Sequence, residues 1–189
     1  MGVKHGNLKG IVTATAIFAA FCLPVAAQTA DTGDEQALLS ALADADPADA
    51  RRLERELQAL WSRSDSAAMD LLFKRGREAL KAGDVGAAIE HLTALTDHAP
   101  DFAEGWHLRA SAYFEAGLYG PALADLEHAL TLNPNNYGAI FGLGAIFESL
   151  GDTENAYRAY KLAQSIHPNH EGVTEALDRL KPEVEGKAL

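Results

Sequence analysis

Apolar residues recur through the middle of the chain at helical spacing. Leu72, Gly76 and Ala79 stand at i, i+4 and i+7, on one face of a helix. Trp106, Ala110 and Tyr113 repeat that spacing, and Ile140, Gly144 and Phe147 repeat it again. Between these runs lies a second helical stripe, given by Ala88, Leu92 and Leu95, then Ala122, Leu126 and Ala129, then Ala156, Tyr160 and Ala163. The pattern predicts alternating helices, A and B, three times over. The small central residue of each A helix lets the following B helix approach closely, while its large neighbours fill the space around it.

The polar punctuation keeps the same rhythm. Pro100, Pro134 and Pro168 are 34 residues apart, and so are Gly83, Gly117 and Gly151. A fixed period in this range marks a stacked repeat architecture. Each glycine can take positive φ and stop an A helix. Asp84 and Asp152 are then placed to cap the next helix, while Pro121 suits a first turn, where a missing N–H costs little. Pro100, Pro134 and Pro168 end the B helices, and Asp101, Asn135 and Asn169 are expected to cap the elements that follow.

These residues resemble the tetratricopeptide repeat (TPR) signature: a large residue, a Leu, a Gly or Ala, an aromatic, then Ala, a large residue, Ala and Pro. The third unit carries all of it, as Ile140, Leu143, Gly144, Phe147, Ala156, Tyr160, Ala163 and Pro168. The second departs at Arg109, in the Leu slot. The first departs at Arg75, Ala79 and Leu95. The resemblance spans residues 69–170 as units 69–102, 103–136 and 137–170. It implies an all-α fold, a right-handed superhelical solenoid of antiparallel helix pairs.

The flanks are also expected to be helical. Val173, Leu177 and Leu180 share one face of a terminal helix over 171–181, with a frayed tail to residue 189. Arrays of this kind end in a capping helix because the last unit otherwise exposes an apolar face. Upstream, Leu38, Leu39 and Leu42 precede a break at Asp46-Pro47, and Leu53, Leu57, Leu60 and Trp61 follow it. Residues 35–66 therefore read as a helical hairpin outside the repeat register, an N-terminal cap, with 28–34 as a linker.

The first 27 residues change the setting. Lys4, His5 and Lys9 form a basic start, Ile11 to Val25 is an uncharged apolar run, and Val25-Ala26-Ala27 supplies small residues. That order reads as a secretory signal cleaved after Ala27. The run is shorter than the roughly 20 residues a spanning helix needs, so no membrane span is expected after cleavage. Cleavage also removes Cys22, the only cysteine. The mature chain then has no disulfide or thiol chemistry. The expected location is the periplasm of a bacterial envelope.

Charge narrows the partners. The chain holds 27 acidic and 16 basic residues, a formal net charge of −11. Nucleic acid is disfavoured, because phosphate binding needs a cationic surface. The bases gather in 51–81, from Arg51 to Lys81, as a positive island on a negative body. No nucleophile elbow or phosphate-cradling glycine loop occurs, and no acidic calcium loop. His91 with His98, and His167 with His170, lack further ligands at fixed spacing. No catalytic residue, metal or cofactor is assigned.

Surface remains as the working feature. The TPR resemblance implies that positions two, five, nine and twelve of each A helix face a concave groove. There it places Phe73, Arg77 and Leu80 in the first unit, with His107, Ser111 and Phe114 in the second and Phe141 and Ala145 in the third. The Lys and Asn set with which some TPR domains clamp a terminal carboxylate is missing, since His107 and Phe141 stand at two of its sites. The expected function is a non-enzymatic adaptor that binds a peptide or protein segment. The alternatives are a self-associating structural protein, with room for a homo-oligomer, and an accessory subunit of an envelope enzyme.

Overall fold

The computed structural model describes residues 26–186, with side chains from residue 34 onward. Residues 1–25, most of the expected signal segment, and the last three residues lie outside that range. The described residues form α1 (Ala26–Asp44), α2 (Pro47–Trp61), α3 (Ala67–Lys81), α4 (Val85–His98), α5 (Ala103–Glu115), α6 (Tyr119–Leu132), α7 (Tyr137–Ser149), α8 (Thr153–Ile166) and α9 (Glu171–Gly186), with no strand among them. Pairs α3–α4, α5–α6 and α7–α8 are the three repeats. None of the described helices is long and apolar enough to cross a membrane.

Each A helix ends at the expected glycine. Gly83, Gly117 and Gly151 adopt φ of 74°, 73° and 78°. The Asp84 carboxylate accepts from the Ala87 N–H at 3.0 Å, and Asp152 accepts from Asn155 N–H at 3.2 Å, so both cap a B helix. The caps of the A helices fall one residue later than expected. Phe102 rather than Asp101 precedes α5, and Asn136 rather than Asn135 caps α7. Before α9 the cap is His170 rather than Asn169: its Nδ1 accepts from the Val173 N–H at 3.2 Å. The proline turn consumes one more residue than the sequence suggests, and a one-residue offset is within the ordinary scatter of helix ends.

The small residues of the A helices meet the large ones of the B helices. A Cβ on Gly76 would overlap the Leu92 side chain, and one on Gly144 would overlap the Tyr160 ring. The terminal helix buries Val173, Ala176, Leu177 and Leu180 against Ile140, Ala156, Tyr160 and Ala163. Glu148 ties the three last helices together. It accepts from Tyr160 Oη at 2.9 Å and from Arg179 Nε and Nη2 at 2.9 Å each. The Arg179 hydrogen bonds, against a desolvation cost, hold the Glu148 carboxyl below its ordinary value. The helix also runs through Pro182, where fraying was expected. Pro182 is exposed, so water can satisfy the carbonyl one turn back that loses its donor.

Arg109 explains its own departure from the repeat pattern. Its guanidinium is bidentate on Asp125, Nε to Oδ2 at 2.7 Å and Nη2 to Oδ1 at 2.8 Å. Nη1 donates to Thr96 Oγ1 at 2.7 Å. The group also lies 4.7 Å from the Trp106 ring centroid. A leucine slot has become a polar rivet joining α4, α5 and α6.

The N-terminal hairpin departs most from expectation. Residues 28–34, expected as a linker, are part of α1, whose first half contains no proline to break it. The hairpin does not extend the stack beyond the first repeat. Its apolar face, Leu39, Leu42, Ala50, Leu53 and Leu57, closes on Tyr137 and Ile166 of the third. Asn169 Nδ2 donates to the Ala45 carbonyl at 2.7 Å, across 124 residues of chain. α2 starts cleanly because Asp46 accepts from the N–H groups of Ala48 and Asp49, with Pro47 in the first helical position.

Candidate functional site

The A helices α3, α5 and α7 present one continuous face, and α2 lies opposite its N-terminal part. Two cavities result. The first, about 400 Å³, is bounded by Arg55, Gln58 and Trp61 of α2 on one side. Phe73, Arg77, Glu104, His107, Asn136 and Tyr137 bound it on the other. The second, about 270 Å³, lies between α5 and α7 and is lined by His107, Ser111, Phe114, Phe141 and Ala145 over a floor of Ala110, Leu126 and Ile146.

The eight residues expected to line the groove are therefore divided. Five share the α5–α7 cavity. Phe73 and Arg77 border the α2-covered one, and His107 stands in the wall between both. Phe73 is only 5% exposed and meets Phe102 edge-on at 5.5 Å between centroids, so most of its ring serves the core. Arg77 is exposed, with its guanidinium carbon 5.5 Å from the Phe73 ring centroid. Leu80 lines neither cavity. It packs, partly buried, against the core of the first repeat. Phe141 is half-buried, 5.3 Å from Tyr160 and 5.4 Å from His170 between ring centroids.

A polar cluster organises the wall between the cavities. Asn136 Oδ1 accepts from the Ala139 N–H at 3.0 Å as the cap of α7, which leaves its Nδ2 to donate to Glu104 Oε1 at 2.6 Å. Glu104 Oε2 lies 3.3 Å from His107 Nδ1. Burial opposes ionisation of Glu104. His107 and the hydrogen bond from Asn136 outweigh that and hold its carboxyl below the ordinary value. The cluster fixes the His107 ring between an acidic neighbour and the apolar α5–α7 cavity.

Sequence reasoning missed Asn136, Tyr137 and Trp61 as groove residues. Asn136 was hidden by the one-residue cap offset. Trp61 and Tyr137, 5.5 Å apart between centroids, come together only because the hairpin folds back. The basic island and the groove, separate features in the sequence, meet here: Arg55 and Arg77 border the same cavity. Among the described residues no cluster of His, Cys, Asp and Glu has the makings of a metal site.

Comparison with known proteins gives consistent relationships. The tetratricopeptide repeat family model matches residues 73–136 and 109–171, together more than half of the chain. A TPR repeat-containing protein of Rhizobium etli is 29% identical over 141 residues, covering 75% of this chain and 69% of that one. The small glutamine-rich tetratricopeptide repeat-containing protein 2 of Mycosarcoma maydis is 28% identical over 123 residues, 65% of this chain but 35% of its own length. Among solved structures, the first TPR of Spaghetti (RPAP3), bound to the HSP90 peptide SRMEEVD, superposes with a TM-score of 0.61 at 27% identity. That match covers 64% of this chain and 96% of the other.

Proposed function

The chain belongs to the tetratricopeptide repeat family, and from that premise we propose that it is a non-catalytic adaptor of the bacterial envelope, holding a peptide or protein segment on its A-helix face. The observation that carries this reading is the α5–α7 cavity. Five side chains converge on it, three from successive turns of α5 and two from adjacent turns of α7, and its wall is apolar except for His107, Ser111 and the exposed Glu115 at its edge. A cavity of this size takes one or two apolar side chains, and such buried anchors dominate peptide affinity. Arg77, further along the same face, suits an acidic group of the same segment. The RPAP3 domain, of like fold, holds a peptide, which supports the reading.

The export half of the proposal rests on the N-terminal residue order. Its check is the intact mass of the exported protein, expected to begin at Gln28. A mass that retains residues 1–27 overturns it.

Ala145→Glu tests the binding half. Ala145 is half-exposed and lines the cavity, so the larger charged side chain fills the space from the open side. Capture of the partner from envelope extract is expected to fall at least tenfold, which corresponds to about 1.4 kcal/mol. Far-UV circular dichroism and the melting temperature should stay near wild type. Undiminished capture by a folded Ala145→Glu protein rules the cavity out.

A further inference from the structure

The α1–α2 hairpin covers part of the face on which a partner is proposed to lie, and its anchorage has a weak point. His167, in the turn between α8 and α9, is 2% exposed, and neither of its ring nitrogens has a hydrogen-bond partner. Buried polar groups without partners are uncommon and costly in native proteins. The ring is enclosed by Tyr137 of α7, at 5.0 Å between centroids and edge-on, and by His170, at 5.3 Å. On the hairpin side it faces Glu54 of α2, whose Oε2 lies 3.8 Å from Nε2. Arg51 of α2 and Glu171 of α9 border the adjoining crevice. The dry surroundings of His167 are thus completed by the hairpin itself.

We propose that the α1–α2 hairpin is a releasable strap across the A-helix face, closed near neutral pH and loosened by acid through protonation of His167. The strap is a property of this chain alone and stands whether or not the α5–α7 cavity binds a peptide. Charging the ring in the closed form means placing a cation in a dry site beside a second imidazole. Glu54 offers a partial counter-charge, beyond hydrogen-bond distance. Burial first, then His170, hold the proton affinity of the closed His167 below the ordinary histidine value, against the pull of Glu54. Opening removes α2 and gives the ring to water.

The sign follows from linkage. Above the ordinary histidine value, about 6.5, both forms are neutral and closure has its full strength. Below it the open form takes up a proton that the closed form refuses. Each pH unit then weakens closure by up to tenfold, until the depressed value of the closed form is reached. The hinge is the segment between Ser62 and Ser66, where Ser64 is held to Asp70 by two hydrogen bonds at 2.6 and 2.9 Å and can stay with α3 as the strap swings.

Spin labels on Ser40→Cys and Ser165→Cys, in the full chain carrying Cys22→Ser, read the state directly. Both positions are exposed and flank the crevice between α1 and α8. Strong dipolar broadening is expected at pH 7.5 and its loss on going to pH 5.0, with the far-UV signal of the repeats retained. His167→Phe fills the site without a titratable group and should keep the labels close at pH 5.0. Glu54→Gln removes the counter-charge and should extend the pH window over which closure weakens to lower pH, because the closed form then refuses the proton further. If broadening is independent of pH, the strap is not controlled by His167. Opening of His167→Phe at the same pH as the parent overturns the proposal equally.

Discussion

Deletion of residues 171–189 is expected to cost most of the stability of the third repeat and to drive self-association. The segment removes Val173, Leu177 and Leu180 from a core that also holds Tyr160 and Ala163. Burying each large apolar side chain contributes about 1.5–3 kcal/mol, and a whole domain has only about 5–15 kcal/mol in reserve. The deletion also leaves Glu148 without Arg179 and strips Tyr160 of its cover. A drop of well over ten degrees in melting temperature, with a concentration-dependent mass in sedimentation, is the expected outcome. An unchanged melting temperature would show that α9 is not a cap. The Glu148–Arg179 contact adds a pH signature. Because the Glu148 carboxyl is held below its ordinary value of 4.5, its contribution is complete above that pH and is lost as acid protonates it.

Asp125→Ala is expected to destabilise the array by about 3–5 kcal/mol, the range found when one member of a buried ion pair is removed. Asp125 is 5% exposed and carries both arms of the Arg109 fork. Without it the guanidinium keeps Thr96, a long contact to Thr93 Oγ1 at 3.5 Å and the aromatic rings, and its charge stays in a poorly hydrated site. Replacing both partners is a different experiment. Arg109→Leu with Asp125→Leu restores the leucine of the repeat pattern and removes both charges, so it should recover most of the loss. Chemical denaturation of the two variants separates the cost of an orphaned charge from the net value of the pair. A double variant as unstable as Asp125→Ala would mean that the rivet stabilises the fold by itself.

Much of this architecture was legible because it is local and repeated. Turn glycines, small residues under large ones and proline stops each recur at one period, and each acts within a few residues of where it stands. The caps at Asp84 and Asp152 and the apolar stripe of α9 belong to the same class. The hairpin was legible as helix but not as a strap. Leu53 and Leu57 announce an apolar face, yet nothing near them in sequence says that Tyr137 and Ile166 cover it. The groove was legible in half. His107, Ser111, Phe114, Phe141 and Ala145 are where the TPR resemblance places groove positions, and the fold brings them to one cavity. Leu80 shares the register but packs against the core of the first repeat, and Phe73 is buried in that same core with Phe102 against its ring. A position in a repeat fixes the direction of a side chain, and the neighbouring helix decides how much of it is left for a ligand.

The hydrogen bond from Asn169 to the Ala45 carbonyl joins residues 124 positions apart. In an open array every unit touches only its neighbours, so the molecule can fray from either end and bend like a spring. Here the N-terminal hairpin is clasped to the far end of the stack, which closes a loop around all three units. Closing so long a loop slows folding relative to a purely local array. Once the clasp is made, loss of the first unit also loosens the third. The clasped protein should therefore melt in one cooperative step, and the unclasped one should unravel from its end.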